Sequence, residues 1–579
     1  MIGLTINGKK LAVAEDSTIL EAAAANGIVI PTLCYLKDVN EVGACRVCVV
    51  EVKGTDRLVS SCNTKVAEGM EIETNSPRVL EARKQNLQLI LSAHDCNCLT
   101  CVRNGNCRLQ TLAQNMNLLE RQPYAVKKAK DCWDPNLPLV RTDSRCISCL
   151  RCVSVCEKVQ GMKVWDVLGL GTRTRVGVRG GKSLSDVNCT LCGQCVTHCP
   201  VAALNERDDT AKFRAAVLDP QKTVVLQVAP AVRAAWGEDL GLAPEQATER
   251  RMAAALRRLG AKYVFDTTFA ADLTIMEEGH ELLSKIQASG RSDTLPLFTS
   301  CCPGWVRFLR SEYPDLVSHL SSSKSPQQMF GAVVKTYFAE KIGKDPKDVF
   351  CVSVMPCTAK KWEAEAGNGD VDLVLTTREV VRLIKMAGIE VAGLPEENFD
   401  SPLGTGSGAG VIFGASGGVM EAALRTVYAV LEGRNPGPDA FKAVRGPDGR
   451  KELTVMMGGR EIRACVASGL LNARRVVEDI RAGRVRYDFV EIMACPGGCV
   501  GGGGQPIADG CELAEKRGQV LYGLDAANGL RFSHENPEVA ALYRDYLGKP
   551  LGPKSHELLH SRKDLGLCLP WTSIRRRAT

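Results

Sequence analysis

Two stretches of this chain repeat one cysteine spacing, and that repeat limits the fold more than any other feature. They are Cys146-x2-Cys149-x2-Cys152-x3-Cys156 and Cys189-x2-Cys192-x2-Cys195-x3-Cys199-Pro200. Three closely spaced thiolates grip one face of an iron–sulfur cubane, and the fourth cysteine of each run ligates the other cluster. The expected sets are therefore Cys146, Cys149, Cys152 and Cys199 for one 4Fe–4S cluster, and Cys189, Cys192, Cys195 and Cys156 for the second. Tetrahedral zinc also takes Cys-x2-Cys pairs. Two tandem copies ending in Cys-Pro weigh against it.

The 579-residue chain is too long for one core and should divide into about three to five units. An apolar fraction of 45% is ordinary for a globular protein. No run of eighteen apolar residues predicts a membrane span. The start, Met1-Ile-Gly-Leu-Thr-Ile-Asn7, lacks the plan of a signal peptide. The reading is of a cytoplasmic protein. In that reducing compartment, 26 cysteines at short spacings mean metal rather than disulfides. The formal charge of +7 carries little, because metal-bound cysteines are thiolates. The basic end, Arg575 to Arg577, reads as a solvated tail.

Two further cysteine groups precede the repeat. Cys34, Cys45, Cys48 and Cys62 fall in a β-rich region of about 75 residues. Here Leu4-Thr-Ile6 and Leu11-Ala-Val13 flank the turn Asn7-Gly8-Lys9, and a helix from Thr18 to Asn26 is expected with Ser17 as N-cap and Gly27 as its stop. The spacing is not the plant-type Cys-x4-Cys-x2-Cys, but four thiolates in a small β domain suit a 2Fe–2S cluster, with zinc as the alternative. His94-x3-Cys98-x2-Cys101-x5-Cys107 follows a helix that Ser76-Pro77 opens and that runs to about Ala93. One imidazole and three thiolates make a less anionic 4Fe–4S centre of raised potential, or a Cys3His zinc site. Cys96 is a spare in that loop. Four centres in about 200 residues form an electron wire, which implies a redox partner at one end and chemistry at the other.

From about residue 220 short apolar strands alternate with helices, the pattern of α/β layers on a mostly parallel sheet. Strands are expected at 223–228, 262–266, 295–299, 349–355, 371–375 and 487–493, and helices at 245–259 and 270–289 ending in Gly260 and Gly290. Catalytic loops of such folds lie past the carboxyl ends of strands. There the sequence places Ala229-Pro230, Thr299-Ser-Cys-Cys-Pro-Gly-Trp305, Met355-Pro-Cys-Thr-Ala-Lys-Lys361 and Met493-Ala-Cys-Pro-Gly-Gly-Cys499. Four remote segments can thus converge on one pocket holding Cys301, Cys302, Cys357, Cys495 and Cys499. The run Gly501–Gly504 suggests close approach of backbone to a bulky group. Gly404-Thr-Gly406-Ser-Gly408-Ala409-Gly410 loosely mimics a dinucleotide fingerprint, but lacks a preceding strand and an acidic partner, so no nucleotide site is read there. A short helical tail follows residue 520, with Pro537 opening a helix and Gly548 closing it.

The loops around Cys302, Cys357 and Cys495–Cys499 resemble the signature loops of FeFe hydrogenases. The order of the upstream clusters is similar to that of the long, clostridial-type modular forms. The tail, Ser533-His-Glu-Asn-Pro537 to His556-Glu-Leu-Leu-His560, resembles the fused small-subunit segment. The nearest likeness is to the large catalytic subunits of NADP-reducing members. The resemblance implies an architecture of α+β iron–sulfur modules followed by an α/β catalytic domain. These are a β-grasp 2Fe–2S ferredoxin domain (1–76), a His/Cys3 4Fe–4S loop domain (77–137), a bacterial 2x4Fe–4S ferredoxin domain (138–210), a catalytic domain (211–520) and a small-subunit-like segment (521–579). It implies an H-cluster, a 4Fe–4S cubane joined through one thiolate to a two-iron unit with CO, cyanide and a bridging dithiolate. Carried over by position, Cys302, Cys357, Cys495 and Cys499 hold the cubane, and Cys499 bridges to the two-iron unit. Cys301 is the unligated proton donor, and Glu278, Glu281 and Ser321 match the outward proton path. Lys360 matches the lysine that hydrogen-bonds a cyanide. Met355 and Met493 pack the two-iron unit, with Gln327 and Pro230 around it. Ala231 stands where some relatives carry a serine.

The residues support that chemistry independently. Heterolytic cleavage of H2 needs a base near the metal, and Glu278 and Glu281, three apart, share a helix face and can relay a proton. Taken alone they read rather as an exposed acidic face with Lys285 completing an i,i+4 pair, and Met355 and Met493 as core. Two other functions compete. A pure electron conduit, like the iron–sulfur subunit of respiratory NADH dehydrogenase, needs no pocket of five cysteines. A hydrogen sensor commonly loses the relay cysteine, which is present here as Cys301. The expected function is reversible H2 oxidation, with electrons passing to a diaphorase-type flavin subunit that binds NAD(P) and/or to ferredoxin in a hetero-oligomer. Cys132, Cys351, Cys465, Cys511 and Cys568 have no metal spacing and read as structural.

Overall fold

The computed structural model describes residues 1–118, 133–288, 295–508 and 513–561. The expectations for Cys132, Cys511, Cys568, Gly290 and the basic end lie outside them.

The first module is a five-stranded sheet in the order Lys9–Val13, Ile2–Ile6, Glu71–Glu73, Val49–Val52, Leu58–Ser60. Asn7 and Gly8 both take positive φ (50° and 78°), the geometry of a tight hairpin turn whose twist matches its strands. The helix Ile19–Ala25 buries Ile19, Leu20, Ala22 and Ala23 against the sheet. Its N-cap is Thr18 rather than Ser17. The Thr18 hydroxyl accepts from Glu21 N while the Glu21 carboxylate accepts from Thr18 N. Ser17 as cap would stand three residues before Leu20, whose side chain has no acceptor to complete such a reciprocal pair. The helix Pro77–Ala93 starts where Ser76 caps it and delivers His94 at its end.

The repeat module opens and closes with paired strands Leu139–Arg141 and Leu204–Glu206. Each cysteine triplet leads into a short helix, Arg151–Lys158 or Gln194–Thr197.

Two four-stranded sheets carry the second half. The first runs Tyr263–Asp266, Thr223–Val228, Val349–Met355, Leu373–Thr376, parallel throughout. The second runs Leu297–Phe298, Phe489–Met493, Arg460–Ser468, Arg450–Met457. Its last two strands form an antiparallel hairpin around Gly458 and Gly459 that lies outside the expected strands. The 295–299 strand shortens to Leu297–Phe298.

The helix Thr267–Gln287 passes between the two sheets. Phe269 and Leu273 pack into the core of the first, while Ala271, Ile275 and Leu282 pack into the core of the second. A helix clasped on two sides has little solvent face. That draws Glu277, Glu278 and Glu281 inside, at 0%, 0% and 7% exposure. Unpaired burial of carboxylates costs several kcal/mol, so cohesion alone does not account for three of them. The tail completes the first core with Val539, Leu542, Tyr543, Leu547 and Leu559. Among the described residues no helix is long and apolar enough to cross a membrane.

Candidate metal centres and catalytic pocket

The four catalytic loops meet. A cavity of about 80 Å³ is lined by Pro230, Cys301, Cys302, Gln327, Met355, Cys357, Lys360, Met493, Cys495 and Cys499, together with Ala231. Each segment arrives from the carboxyl end of a strand, the place where loops of a parallel sheet are free to vary. Cys302 sits at the N-cap of the helix Pro303–Glu312, and its Sγ accepts from Ala494 N at 3.4 Å. The walls are mostly apolar, and burial pushes all four remote thiols up, Cys357 to about 12. Thiols so placed ionise only against a cation, which is what bound iron provides. One further orphan faces the same space: buried Gln327 Oε1 has no hydrogen-bond partner. The donor set and this orphan fit a metal group with polar ligands.

Lys360 Nζ donates to the Cys301 carbonyl at 3.1 Å and to Glu363 at 2.8 Å. Glu363 also accepts from Gln327 Nε2 at 3.0 Å and Ser325 Oγ at 2.8 Å. Glu363 is not among the expected residues, although its i,i+3 offset from Lys360 signals the pair. It fixes both side chains that reach the pocket wall. Ala231 gives its carbonyl to Gln505 Nε2 at 2.8 Å and no side-chain polar atom.

Cys301 borders the same cavity as the four thiols, and burial with the nearby Glu278 charge raises its thiol well above its ordinary value. Glu278 has no hydrogen-bond partner for either carboxylate oxygen among the described residues. Burial, reinforced by the Glu281 charge, pushes it to about 8. Glu281 accepts from Ser321 Oγ at 2.8 Å and Ser322 N at 3.0 Å. Lys285 does pair with Glu281, at 3.6 Å, but the acidic face is buried rather than solvated.

The accessory cysteines also gather. A cavity of about 20 Å³ is lined by Cys146, Cys149, Cys152 and Cys199. A second of about 20 Å³ is lined by Cys156, Cys189, Cys192 and Cys195. In the first module Cys34 and Cys45 hydrogen-bond thiol to thiol, as do Cys48 and Cys62, which pulls Cys45 down to about 6 and Cys48 to about 7. Two close pairs suit two irons taking two thiolates each. His94 Nδ1 lies 3.0 Å from the Arg145 carbonyl, which sets the hydrogen on Nδ1 and makes Nε2 the nitrogen able to ligate. Cys98, Cys101 and Cys107 occupy the loop beyond it, and the Cys96 thiol turns back to the Leu91 and His94 carbonyls. Among the described residues no three cysteine or histidine ligand atoms lie within 4.8 Å of one another. Zinc–sulfur bonds of about 2.3 Å would draw them closer than that. Cys351 and Cys465 lie in strand cores.

The glycine run meets neighbouring backbone, and Gly502 also lines the 80 Å³ cavity. A Cβ at Gly502 would lie 2.1 Å from the Pro356 carbonyl oxygen, and one at Gly503 would lie 2.5 Å from that of Cys192. The second contact seats the repeat module on the pocket. The 404–410 glycines likewise admit Thr268 and Asp525.

Comparison with known proteins fits this arrangement. Residues 222–503 match the family model for the iron only hydrogenase large subunit, C-terminal domain. Residues 1–77 match a 2Fe-2S iron-sulfur cluster binding domain, and 511–562 the iron hydrogenase small subunit. Residues 83–122 and 138–205 match an NADH-ubiquinone oxidoreductase-G iron-sulfur binding region and an NADH-quinone oxidoreductase subunit 3 ferredoxin-like domain. The NADP-reducing hydrogenase subunit HndD of Solidesulfovibrio fructosivorans is 48% identical, over 97% of this chain and 98% of its own. Iron hydrogenase 1 of Clostridium pasteurianum is 40% identical, over 96% and 99%. The solved apo FeFe-hydrogenase HydA1 of Chlamydomonas reinhardtii is 45% identical with a TM-score of 0.54, covering 61% of this chain and 98% of that one.

Proposed function

Because the chain belongs to the FeFe hydrogenase family, as a catalytic subunit with its own iron–sulfur modules, we propose that it interconverts H2 with protons and electrons at the 80 Å³ pocket. The observation that carries this reading is the convergence of Cys302, Cys357, Cys495 and Cys499 beside a fifth thiol, Cys301, that faces a buried acid. Cys302, Cys357, Cys495 and Cys499 would hold an H-cluster. When bound, that group supplies the centre at which H2 divides into hydride and proton. Lys360, braced by Glu363, offers its ammonium to an anionic ligand there, Gln327 offers its amide, and Met355, Met493 and Pro230 exclude water.

The chain's own side chains handle the proton. The Cys301 thiol stays protonated in its apolar setting and can give or take a proton at Sγ. Glu278, near 8, exchanges protons close to neutral pH. Ser321 and Glu281 carry them on toward Lys285 at the end of the helix. Electrons use the opposite wall. The ligand sets given above would hold one 2Fe–2S and three accessory 4Fe–4S clusters, which would supply electron transfer along modules 1–76, 77–137 and 138–210. The catalytic domain is 211–520 and the small-subunit-like segment 521–579. A diaphorase-type NAD(P)-binding flavin subunit, or ferredoxin, completes a cytoplasmic hetero-oligomer. Infrared bands of metal-bound CO and cyanide in matured protein, with H2-dependent dye reduction, test the assignment. Matured protein lacking both would overturn it.

A further inference from the structure

Glu277 is another buried acid of the long helix, and the path just described does not use it. It points away from Glu278, into the tail. Tyr543 OH donates to Glu277 Oε1, Leu551 N donates to Oε2 at 2.9 Å, and His560 Nε2 lies 2.9 Å from Oε2. The other ring nitrogen of His560 lies 2.8 Å from Ser322 Oγ. Ser322 Oγ is in turn 3.3 Å from Glu281 Oε2. A continuous line of hydrogen bonds thus joins Glu281 to Glu277 through a hydroxyl and an imidazole.

The line is built rather than incidental. Ser561 N donates to the Ser322 carbonyl at 2.7 Å, and Lys324 N to the Leu559 carbonyl at 2.8 Å, a short strand-like pairing that fixes His560 beside Ser322. His560 is 5% exposed, and its ring stacks on exposed His556, centroids 4.7 Å apart and planes 5° from parallel. A tail clamp would be served by apolar contacts, which Val539, Leu542 and Leu559 already provide.

We propose that His560, carried in by the C-terminal segment, is a proton station on a branch of the outward path, exchanging the Glu281 proton through Ser322 Oγ. The proposal rests on reading Glu281 as part of that path. With His560 neutral, Nε2–H donates to Glu277 and Nδ1 accepts the Ser322 hydroxyl. Protonated Glu281 then gives its proton to Ser322 Oγ as the original Ser322 proton passes to Nδ1. The Glu281 O–H and the old Ser322 O–H bonds break, a new Ser322 O–H and an Nδ1–H bond form, and no electrons move. The product imidazolium lies against the Glu277 carboxylate, which opposes its charge, and the freed Ser322 hydroxyl turns to donate to Glu281. His560 is a positioning residue for the reaction, since it touches neither substrate nor metal.

The test uses matured holoenzyme carrying His560→Gln, Ser322→Ala, both together, or Glu281→Gln, with infrared spectra and cluster signals confirming assembly. A glutamine amide in place of the imidazole can keep both hydrogen bonds but cannot pass a proton. Expected is a loss of H2-driven dye reduction of about tenfold in His560→Gln and in Ser322→Ala, with no further loss in the double variant. The solvent deuterium isotope effect should rise in each, and added imidazole should restore turnover in His560→Gln. Unchanged turnover and isotope effect in both single variants, beside an inactive Glu281→Gln, would overturn the branch alone. A loss that is additive, insensitive to deuterium and not rescued by imidazole would assign His560 to structure instead. Full activity of Glu281→Gln would overturn the path and the branch together.

Discussion

Replacing Glu278 by glutamine should stabilise the catalytic domain while nearly abolishing turnover, and the two effects should separate cleanly with pH. The carboxyl titrates at about 8 in the folded chain against 4.5 for the ordinary group, because it is fully buried and close to the Glu281 charge. A raised folded value favours the fold fully below the unfolded value, about 4.5, and that contribution is lost as pH rises through about 8. Each unit of separation is worth about 1.4 kcal/mol. At pH 7 the unfolded chain gains about 3 kcal/mol by ionising Glu278 while the folded chain keeps it protonated. Near pH 5 the same difference is below about 1 kcal/mol, and above about pH 8.5 it levels off near 5 kcal/mol. Glutamine removes the titration. It keeps the shape and a comparable unsatisfied polar group, so most of the gain should survive. The assay is anaerobic calorimetry of wild type and Glu278→Gln at about pH 5.5, 7 and 8.5, beside H2-driven dye reduction. The variant's transition should move up relative to wild type by a margin that grows with pH, while turnover falls on the order of a hundredfold or more. A margin independent of pH, or a destabilised variant, would refute the burial argument. Wild-type turnover would refute the relay.

Other outcomes follow from the same geometry. Cys301→Ser should lose most turnover, on the order of a hundredfold, while iron content and infrared bands persist, since its thiol is read as a proton carrier and not a ligand. His94→Cys should lower the potential of one accessory 4Fe–4S cluster in a redox titration, because a thiolate adds negative charge where a neutral imidazole stood. Arg378→Met should leave Glu206 held by Arg382 alone, costing less than the about 3–5 kcal/mol of a fully unpaired buried charge, at the seam between the repeat module and the catalytic domain. Its signature would be impaired dye reduction with hydrogen–deuterium exchange at the pocket retained. The purified chain should reduce dye but not NAD(P)+ until a flavin partner is added.

Much of the site is legible in the sequence because ligand spacing and strand ends are local facts. Cys149 and Cys152, three apart, have to face one object, and the exchange of Cys156 and Cys199 between the runs reappears in the linings of two cavities. What stays hidden depends on distant packing. Glu278 and Glu281 read by themselves as a solvated face, since nothing local says that a second sheet covers it. That sheet's edge hairpin, 450–468, escapes a sequence reading because its outer strand alternates exposed and half-buried positions and resembles a polar surface segment. Alternation around Gly458-Gly459 is the signal available. Glu277 and His560 lie 283 positions apart, so no spacing argument could join them. The glycine run reads as yielding to a bulky group. The fold adds a constraint that spacing does not show, the neighbouring backbone of Cys192 and Pro356, beside the cavity that Gly502 lines.

That last contact bears on how charge is kept apart. Thr358 Oγ1 donates to the Leu191 carbonyl at 2.6 Å, one residue past Cys357. A Cβ on Gly193 would lie 2.8 Å from the Cα of Gly503, and one on Gly304 would lie 3.0 Å from Ala494 and 3.6 Å from the Thr190 carbonyl. The loop of the second repeat cluster therefore rests directly on all three loops that bring thiols to the pocket. On the proposed function, electrons leave through that wall, and protons leave past Cys301, Glu278 and Glu281, on the side of the helix Thr267–Gln287. A proton and an electron leaving by the same wall would attract one another, and a slow step for one would detain the other. With the exits on different faces, the apolar lining between them resists recombination through the pocket. On this argument, adding a methyl group at Gly503 should disturb only the electron side. Gly503→Ala must push the Cys192 loop away, since its Cβ would stand 2.5 Å from a carbonyl oxygen and 2.6 Å from the Gly193 Cα. Dye reduction should then slow severalfold, whereas hydrogen–deuterium exchange, which needs the pocket and the proton path alone, should continue near the wild-type rate. Equal loss of both would mean that the two exits share a wall.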